Sequence, residues 1–302
     1  MARPSQPDAE LPPVPGEAVS WRELLAHATS LLRAAGFDNA AQEARWLVER
    51  ATGLEPGELA LTLDRPATGR SATHVHGMLE RRLAGEPLQY VMARWGFRRL
   101  DLFVDRRALI PRPETEVLAE MALDECRRLD AHLAVDLGTG SGALALALAV
   151  ERPGLQVWGT DLFDEALAVA RANLSGLGRS ATNVRMVQGR WFEALPRELA
   201  GRIDVIVSNP PYVAEAEMAD LPDDVRDWEP RQALCAGPTG FEDIETIVAE
   251  APAWLARPGA LLVELAPHQA RRAQVLAVQA GFATASVWPD LAGRDRILLA
   301  RV

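Results

Sequence analysis

The sequence predicts an α/β fold: a doubly wound, mostly parallel sheet with an antiparallel edge pair, preceded by a small helical domain and a β-hairpin linker. Three observations carry this expectation. From Ala134 to Leu265 short apolar runs alternate with helical stretches, the pattern of strands covered on both faces by crossover helices. The last two strand candidates, Ala283 to Trp288 and Arg296 to Val302, follow each other without a helix between them, as an antiparallel pair at one edge requires. Before residue 92 the apolar periodicity is helical throughout.

Taken in order, residues 1–18 carry prolines and acids instead of a basic start followed by an apolar stretch, so they read as a disordered tail and not as a secretory signal. Residues 19–92 form the helical domain. Ser20 can cap a first helix with Glu23 as its capping-box partner, Leu24, Leu25, Ala28, Leu31 and Leu32 recur at helical spacing, and Gly36 stops it. A second helix spans Asn39 to Thr52, and a third runs from Ser71 to Ala84 before Gly85. These helices have amphipathic faces but no chemical centre. In residues 93–113, Trp95 to Val104 alternates around a charged turn, a hairpin punctuated by Pro111 and Pro113. Residues 114–302 hold the α/β domain. It opens with a helix near Glu114, and its strand candidates are Ala134 to Leu137, Val157 to Thr160, Val184 to Val187, Asp204 to Ser208 and Leu261 to Leu265.

Composition narrows the function classes. The 302 residues are 48% hydrophobic and 25% charged, an ordinary globular balance, and no apolar run approaches a membrane span. A formal net charge of -10 disfavours a protein that grips duplex DNA through its phosphates. Cys126 and Cys235 stand far apart, which argues against a disulfide framework or a cysteine zinc site and fits a reducing cytoplasm. His74 and His76 lie in a polar helical segment without further ligands, so no metal is assigned.

Two segments carry chemistry. Asp136-Leu137-Gly138-Thr139-Gly140-Ser141-Gly142 follows an apolar strand and runs into the apolar helix Ala143 to Ala149. Its glycines permit a tight turn and close backbone approach to a ligand at a helix N-terminus. Asp161, at the end of the next strand, stands where a carboxylate accepts from ribose hydroxyls. Together they describe a nucleoside-bearing cofactor. Gly138, Gly140 and Ala143 also satisfy the looser dinucleotide fingerprint, so the loop alone leaves two cofactor classes open. The second segment, Asn209-Pro210-Pro211-Tyr212, ends the fourth parallel strand candidate and therefore faces the ligand crevice. Its prolines stiffen the turn and leave carbonyls as acceptors, while Asn209 offers both a donor pair and an acceptor to a planar amide or amine.

The acidic-x-Gly-x-Gly-x-Gly pattern resembles the first motif of class I methyltransferases. The Asn-Pro-Pro-Tyr turn resembles that of methyltransferases acting on a nitrogen attached to a planar group. Gly85-Glu86-Pro87-Leu88-Gln89-Tyr90, Leu109 to Glu116, Leu221 to Arg226, and Glu229 to Leu234 with Gly240-Phe241 are similar to segments of the HemK/PrmC family of release-factor methyltransferases. The resemblance covers the chain from about residue 20 to its C-terminus. It implies that Gly138, Thr139, Gly140, Ser141, Gly142 and Asp161 bind S-adenosylmethionine, with Trp191 beside the adenine and Asn209 at the reactive end. It also implies that Asn209, Pro210, Pro211 and Tyr212 bind the glutamine of the Gly-Gly-Gln loop of peptide chain release factors, with Asn209, Pro210 and Tyr212 catalytic and Tyr212 a packing wall. Methyl transfer would then pass directly from sulfonium to amide nitrogen, with no strong general base in the motif. One departure is that the family's acidic residue before the aromatic pair is replaced by Arg190, ahead of Trp191 and Phe192. Arg112, Glu114 and Glu116 suit either a substrate channel or a salt-bridged hinge. Two rival readings stay open: an amino-methyltransferase acting on DNA or RNA bases, and a catalytically silent binding module. The acidic charge and helical N-terminus weigh against the first.

Overall fold

The computed structural model describes residues 19–54 and 57–302; the expected tail, residues 1–18, lies outside the described residues. The chain divides into two compact units, one ending at Met92 and one running from Ala93 to Val302.

The first unit is helical, with α1 (Trp21–Ala34), α2 (Ala40–Thr52), α3 (Leu59–Thr62), α4 (Gly69–Leu83) and α5 (Leu88–Met92). Ser20 and Glu23 close the capping box, the Ser20 amide donating to Glu23 Oε2 at 2.8 Å and the Glu23 amide to Ser20 Oγ at 3.3 Å. Ala28, Leu32, Ala44, Leu47 and Leu79 are buried where α1, α2 and α4 pack. Helix α4 starts earlier than the expected Ser71, because Thr68 is the cap and accepts from the Ser71 amide at 3.2 Å. The short helices α3 and α5 have too few turns to show a period in the sequence.

In the second unit, strands β1 (Trp95–Phe97) and β2 (Leu100–Leu102) make the expected hairpin, antiparallel and only three residues each. Arg98 at its turn fastens the hairpin to the unit through an ion pair with Glu151 at 2.5 Å and one with Glu120 at 2.6 Å. Helix α6 (Pro113–Arg128), with proline in its first turn, then leads into the α/β alternation of β3 (Leu133–Leu137), α7 (Ala143–Glu151), β4 (Gln156–Asp161), α8 (Asp164–Leu177), β5 (Val184–Gln188) and β6 (Ile203–Ser208). Two short strands, β7 (Val213–Ala214) and β8 (Cys235–Gly237), flank α9 (Asp223–Arg226). The sheet is completed by α10 (Glu242–Trp254), β9 (Leu255–Glu264), α11 (Ala270–Gln279), β10 (Thr284–Pro289) and β11 (Asp295–Arg301).

The seven strands run in the order β10-β11-β9-β6-β3-β4-β5, parallel from β9 to β5 and antiparallel at β11 and β10. The chain moves outward from β3 to β5 and then returns to β6 on the other side of β3. The strand order therefore reverses at β3 and β6, where doubly wound sheets open a crevice at their carboxyl ends. Val135, Leu137, Ile206, Leu261, Val263 and Leu298 are buried in the core between sheet and helices, which accounts for strands that read as unbroken apolar runs.

At the reversal the buried Ser208 hydroxyl donates to the Leu137 carbonyl at 2.6 Å. Replacing Ser208 by alanine leaves that buried carbonyl one donor short, so we expect a loss of about 1–3 kcal/mol in unfolding free energy by urea denaturation. Unchanged stability would show that the side-chain bond does not help to hold the two strand ends together.

Candidate active site

Three strand ends build the site. The parallel register places Leu137 of β3 beside Ser208 of β6, and Ser208 beside Val263 of β9. The residues that follow are therefore Gly138, Asn209 and Glu264, side by side at the carboxyl edge of the sheet.

From the first of these ends the chain makes the glycine turn. Gly138, Gly140 and Gly142 all have positive φ, at 74°, 56° and 86°, a region that side-chain-bearing residues rarely adopt. The Gly138 and Thr139 amides both donate to the Thr160 carbonyl of β4, at 2.9 and 2.8 Å, so the turn folds back over the next strand. Asp136 lies beneath it, its Oδ2 accepting from the Thr139 hydroxyl at 2.6 Å and from the Ala145 amide at 3.1 Å. Burial pushes this carboxyl up to about 7 against those bonds. At the end of β4, Asp161 accepts from the Gly140 amide at 2.9 Å and the Phe163 amide at 3.0 Å, and burial raises it as well. The carboxylate still has acceptor capacity for a ligand.

A cavity of about 540 Å³ opens over this edge, within the range of small-ligand sites. Gly138, Thr139, Gly140, Ser141, Asp161, Trp191 and Asn209 line it, so the structure brings together those residues that the sequence singled out. Gly142 stays behind the turn, where a Cβ would lie 3.1 Å from Leu146 and 3.3 Å from Ala170. Two features suit a flat nucleoside. The Trp191 ring would stand only 3.1 Å from a Cβ on Gly138, whereas a Cβ on Gly140 would meet nothing within 4 Å. The loop is thus tight against an aromatic wall at one point and open to the cavity at the next, with the Asp161 carboxylate at its side. Arg190 also lines the cavity and pairs with Asp243, another lining residue, at 3.3 Å. A carboxylate from α10 therefore stands at the position next to Trp191 where the sequence supplies a cation.

The Asn-Pro-Pro-Tyr turn divides. Asn209 and Pro211 line the cavity; Pro210 is buried, and neither it nor Tyr212 is among the lining residues. Tyr212 turns back toward the sheet, its hydroxyl donating to Glu264 Oε1 at 3.5 Å and its ring 5.8 Å from the Arg296 guanidinium. Burial holds the Tyr212 phenol up at about 12, so it remains a donor. The turn is clamped from below by Gln269, whose amide donates to the carbonyls of Tyr212 at 2.9 Å and Gly240 at 2.8 Å. Gly240 is required at this approach, since a Cβ there would lie 2.7 Å from the Tyr212 carbonyl oxygen.

Sequence reasoning missed Thr115 and Glu264. Asn209 Nδ2 donates to Thr115 Oγ1 at 3.1 Å, and the Thr115 hydroxyl donates to Glu264 Oε2 at 2.8 Å. Glu264 is 1% exposed. The available signal was a carboxylate at the end of an otherwise apolar strand run. By contrast Arg112, Glu114 and Glu116 are engaged in fastening: Arg112 pairs with Glu229 at 2.5 Å, Glu114 with Arg294 at 2.7 Å, and Glu116 accepts from the Arg98 amide at 3.0 Å. His76 Nδ1 lies 2.7 Å from the Ala72 carbonyl, and among the described residues no group of three or more His, Cys, Asp or Glu could hold a metal ion. Among them, too, no helix is long and apolar enough to cross a membrane.

Comparison with known proteins places these features in context. A family model described as the PrmC N-terminal domain matches residues 23–92, and one described as a methyltransferase small domain matches residues 114–221. The chain is 41% identical to the release factor glutamine methyltransferase of Cereibacter sphaeroides, over 93% of this chain and 98% of that one. It is also 41% identical to the protein of the same name from Deinococcus radiodurans, with the same coverage. Among solved structures, the catalytic domain of hMettl16, in complex with MAT2A 3'UTR hairpin 6, superposes with a TM-score of 0.54 at 15% identity, covering 76% of this chain and 80% of that one. That likeness is one of fold.

Glu264 gives the site a measurable pH signature. Burial raises its carboxyl from an ordinary 4.5 to about 7, so the folded state holds the proton more tightly than the unfolded state. Its contribution to stability is fully present below 4.5 and is lost as pH rises through about 7. The melting temperature of the wild type is accordingly expected to fall more between pH 5 and pH 8 than that of Glu264→Gln. Parallel curves in scanning calorimetry would contradict a buried, proton-binding Glu264.

Proposed function

This chain belongs to the release factor glutamine methyltransferase family, and from that premise we propose that it methylates the side-chain amide nitrogen of the glutamine in the Gly-Gly-Gln motif of peptide chain release factors, with S-adenosylmethionine as donor. The observation that carries the reading is the juxtaposition of the glycine turn and Asn209 on one cavity, at the point where the strand order reverses.

S-adenosylmethionine supplies an electrophilic methyl group on a sulfonium. The residues present suit its nucleoside part. The Gly138 to Gly142 turn with Thr139 and Ser141 would bring backbone close to it, Asp161 would accept from the ribose hydroxyls, and Trp191 with Leu162 would offer apolar surface to the base. Asp243 is the acceptor we assign to the base amino group in place of the acidic residue that Arg190 displaces.

The acceptor amide is a poor nucleophile, because its lone pair is delocalised into the carbonyl. Asn209, the member of the turn that faces the cavity with Pro211, accepts from one of that amide's N–H groups, and the buried Pro210 stiffens the turn behind it, so the nitrogen is presented in one orientation and positioning supplies much of the rate. Pro211 shapes the cavity wall beside Asn209, while Tyr212 acts from behind the turn through its bond to Glu264. The N-terminal helical unit carries no chemistry and is assigned to orienting the protein substrate. The working place is the cytoplasm, where translation termination supplies the substrate, with neither DNA nor membrane as partner.

Incubation with labelled S-adenosylmethionine and either a release factor or nucleic acid tests the assignment. Label is expected in the Gly-Gly-Gln glutamine, located by mass spectrometry; transfer to DNA or ribosomal RNA with none to the factor would overturn it. Asn209→Ala is expected to lower kcat by about 100- to 1000-fold while cofactor affinity by isothermal titration stays near wild type. Near-wild-type turnover would remove Asn209 from the mechanism. Asp243→Asn should weaken cofactor binding several-fold in the same titration, and unaltered affinity would take Asp243 off the base.

A further inference from the structure

We infer that Thr115 and Glu264 are positioning residues that fix which face of the Asn209 amide meets the substrate. The inference rests on the proposed role of Asn209 and extends it to two residues outside the Asn-Pro-Pro-Tyr turn.

Hydrogen-bond direction sets the orientation of this amide. A hydroxyl has one proton to give. Thr115 Oγ1 lies 2.8 Å from Glu264 Oε2 and 3.1 Å from Asn209 Nδ2. Once pH exceeds the value of about 7 to which burial raises it, Glu264 is an ionised carboxylate that only accepts, so Thr115 then spends its proton on Glu264 and must accept from its other neighbour. Asn209 can satisfy that demand only with its NH2 group. Its carbonyl oxygen Oδ1 is therefore turned away from Thr115, leaving an acceptor for a substrate N–H. The reverse rotamer would set the Asn209 carbonyl against the Thr115 oxygen, two acceptors with no proton between them.

Glu264 also receives the Tyr212 hydroxyl at 3.5 Å, so both polar side chains of the turn are referred to one carboxylate. The other charged groups near it are Arg296 on β11, and Arg112 and Glu114 at the start of α6, the two arginines favouring its ionised form and Glu114 opposing it. The arrangement follows from register, because Glu264 and Asn209 are the residues after a paired Ser208 and Val263. Protonation of Glu264 would remove the directional constraint. A neutral carboxyl can donate to Thr115, which frees the Thr115 proton for Asn209 Oδ1 and permits the unproductive rotamer.

The test compares Thr115→Val, Thr115→Ser and Glu264→Gln by single-turnover methylation of a release factor, alongside the side-chain amide signals of Asn209 in the 15N-labelled protein, assigned by their loss in Asn209→Asp. Thr115→Val, which keeps shape but removes the hydroxyl, is expected to lower the rate about tenfold with KM for the factor within about twofold. Thr115→Ser should restore most of that rate, and the Asn209 amide protons should shift and exchange faster in the valine variant alone. The wild-type rate should fall as pH drops through about 7, and Glu264→Gln should flatten that limb. Unaltered Asn209 signals in Thr115→Val, or a serine variant as slow as the valine one, would overturn the inference. The amide signals do not depend on the substrate. A wild type inactive on release factors, together with an Asn209 shift confined to Thr115→Val, would therefore sink the substrate assignment and leave the orientation standing.

Discussion

The site depends on one constraint, the in-register parallel pairing of β3, β6 and β9 at their carboxyl ends. Leu137, Ser208 and Val263 lie abreast, so the glycine turn, the Asn-Pro-Pro-Tyr turn and Glu264 begin at the same level. A slip of one residue in a parallel ladder would invert the face of every following side chain and separate Asn209 from both of its neighbours. The Ser208 hydroxyl bond to the Leu137 carbonyl reinforces the level, and the fully buried run Val205 to Ser208 makes any slip costly.

Burial at that edge then sets the electrostatics. Asp136, Asp161 and Glu264 are all raised by loss of water, and each is held by a different set of donors: the Thr139 hydroxyl and Ala145 amide, two backbone amides, and two side-chain hydroxyls. None of the three needs to act as a base for the proposed transfer. Their work is to organise polar groups: Asp136 the inside of the glycine turn, Asp161 its outer lip, Glu264 the orientation of the acceptor site. Such preorganised dipoles aid a reaction because they require no rearrangement when charge develops.

Much of this was legible in the sequence because it is local. The glycine turn, the strand before it, the helix after it and Asp161 each leave a pattern in consecutive residues, as do the Ser20 capping box and the edge pair formed by β10 and β11. What escaped was made by tertiary contact. Thr115 stands 94 residues from Asn209 and meets it only because α6 packs beside the strand ends. Glu264 fell inside the expected strand Leu261 to Leu265, which the structure starts earlier at Leu255 and ends at Glu264, but its partner could not be known without the order of strands. The inward turn of Tyr212 was hidden for the same reason, since a turn sequence does not say which of its side chains faces the cavity and which the sheet. Asp243 lies 53 residues from Arg190 and compensates it from another helix.

The central claim is that the polar groups behind the turn act through Asn209 and not on their own. A double-mutant cycle on single-turnover methylation, combining Thr115→Val with Asn209→Ala, measures that dependence most directly. If Thr115 serves only to orient Asn209, the double variant will be no slower than Asn209→Ala alone. Losses that multiply, as for two independent contributions, would contradict the account.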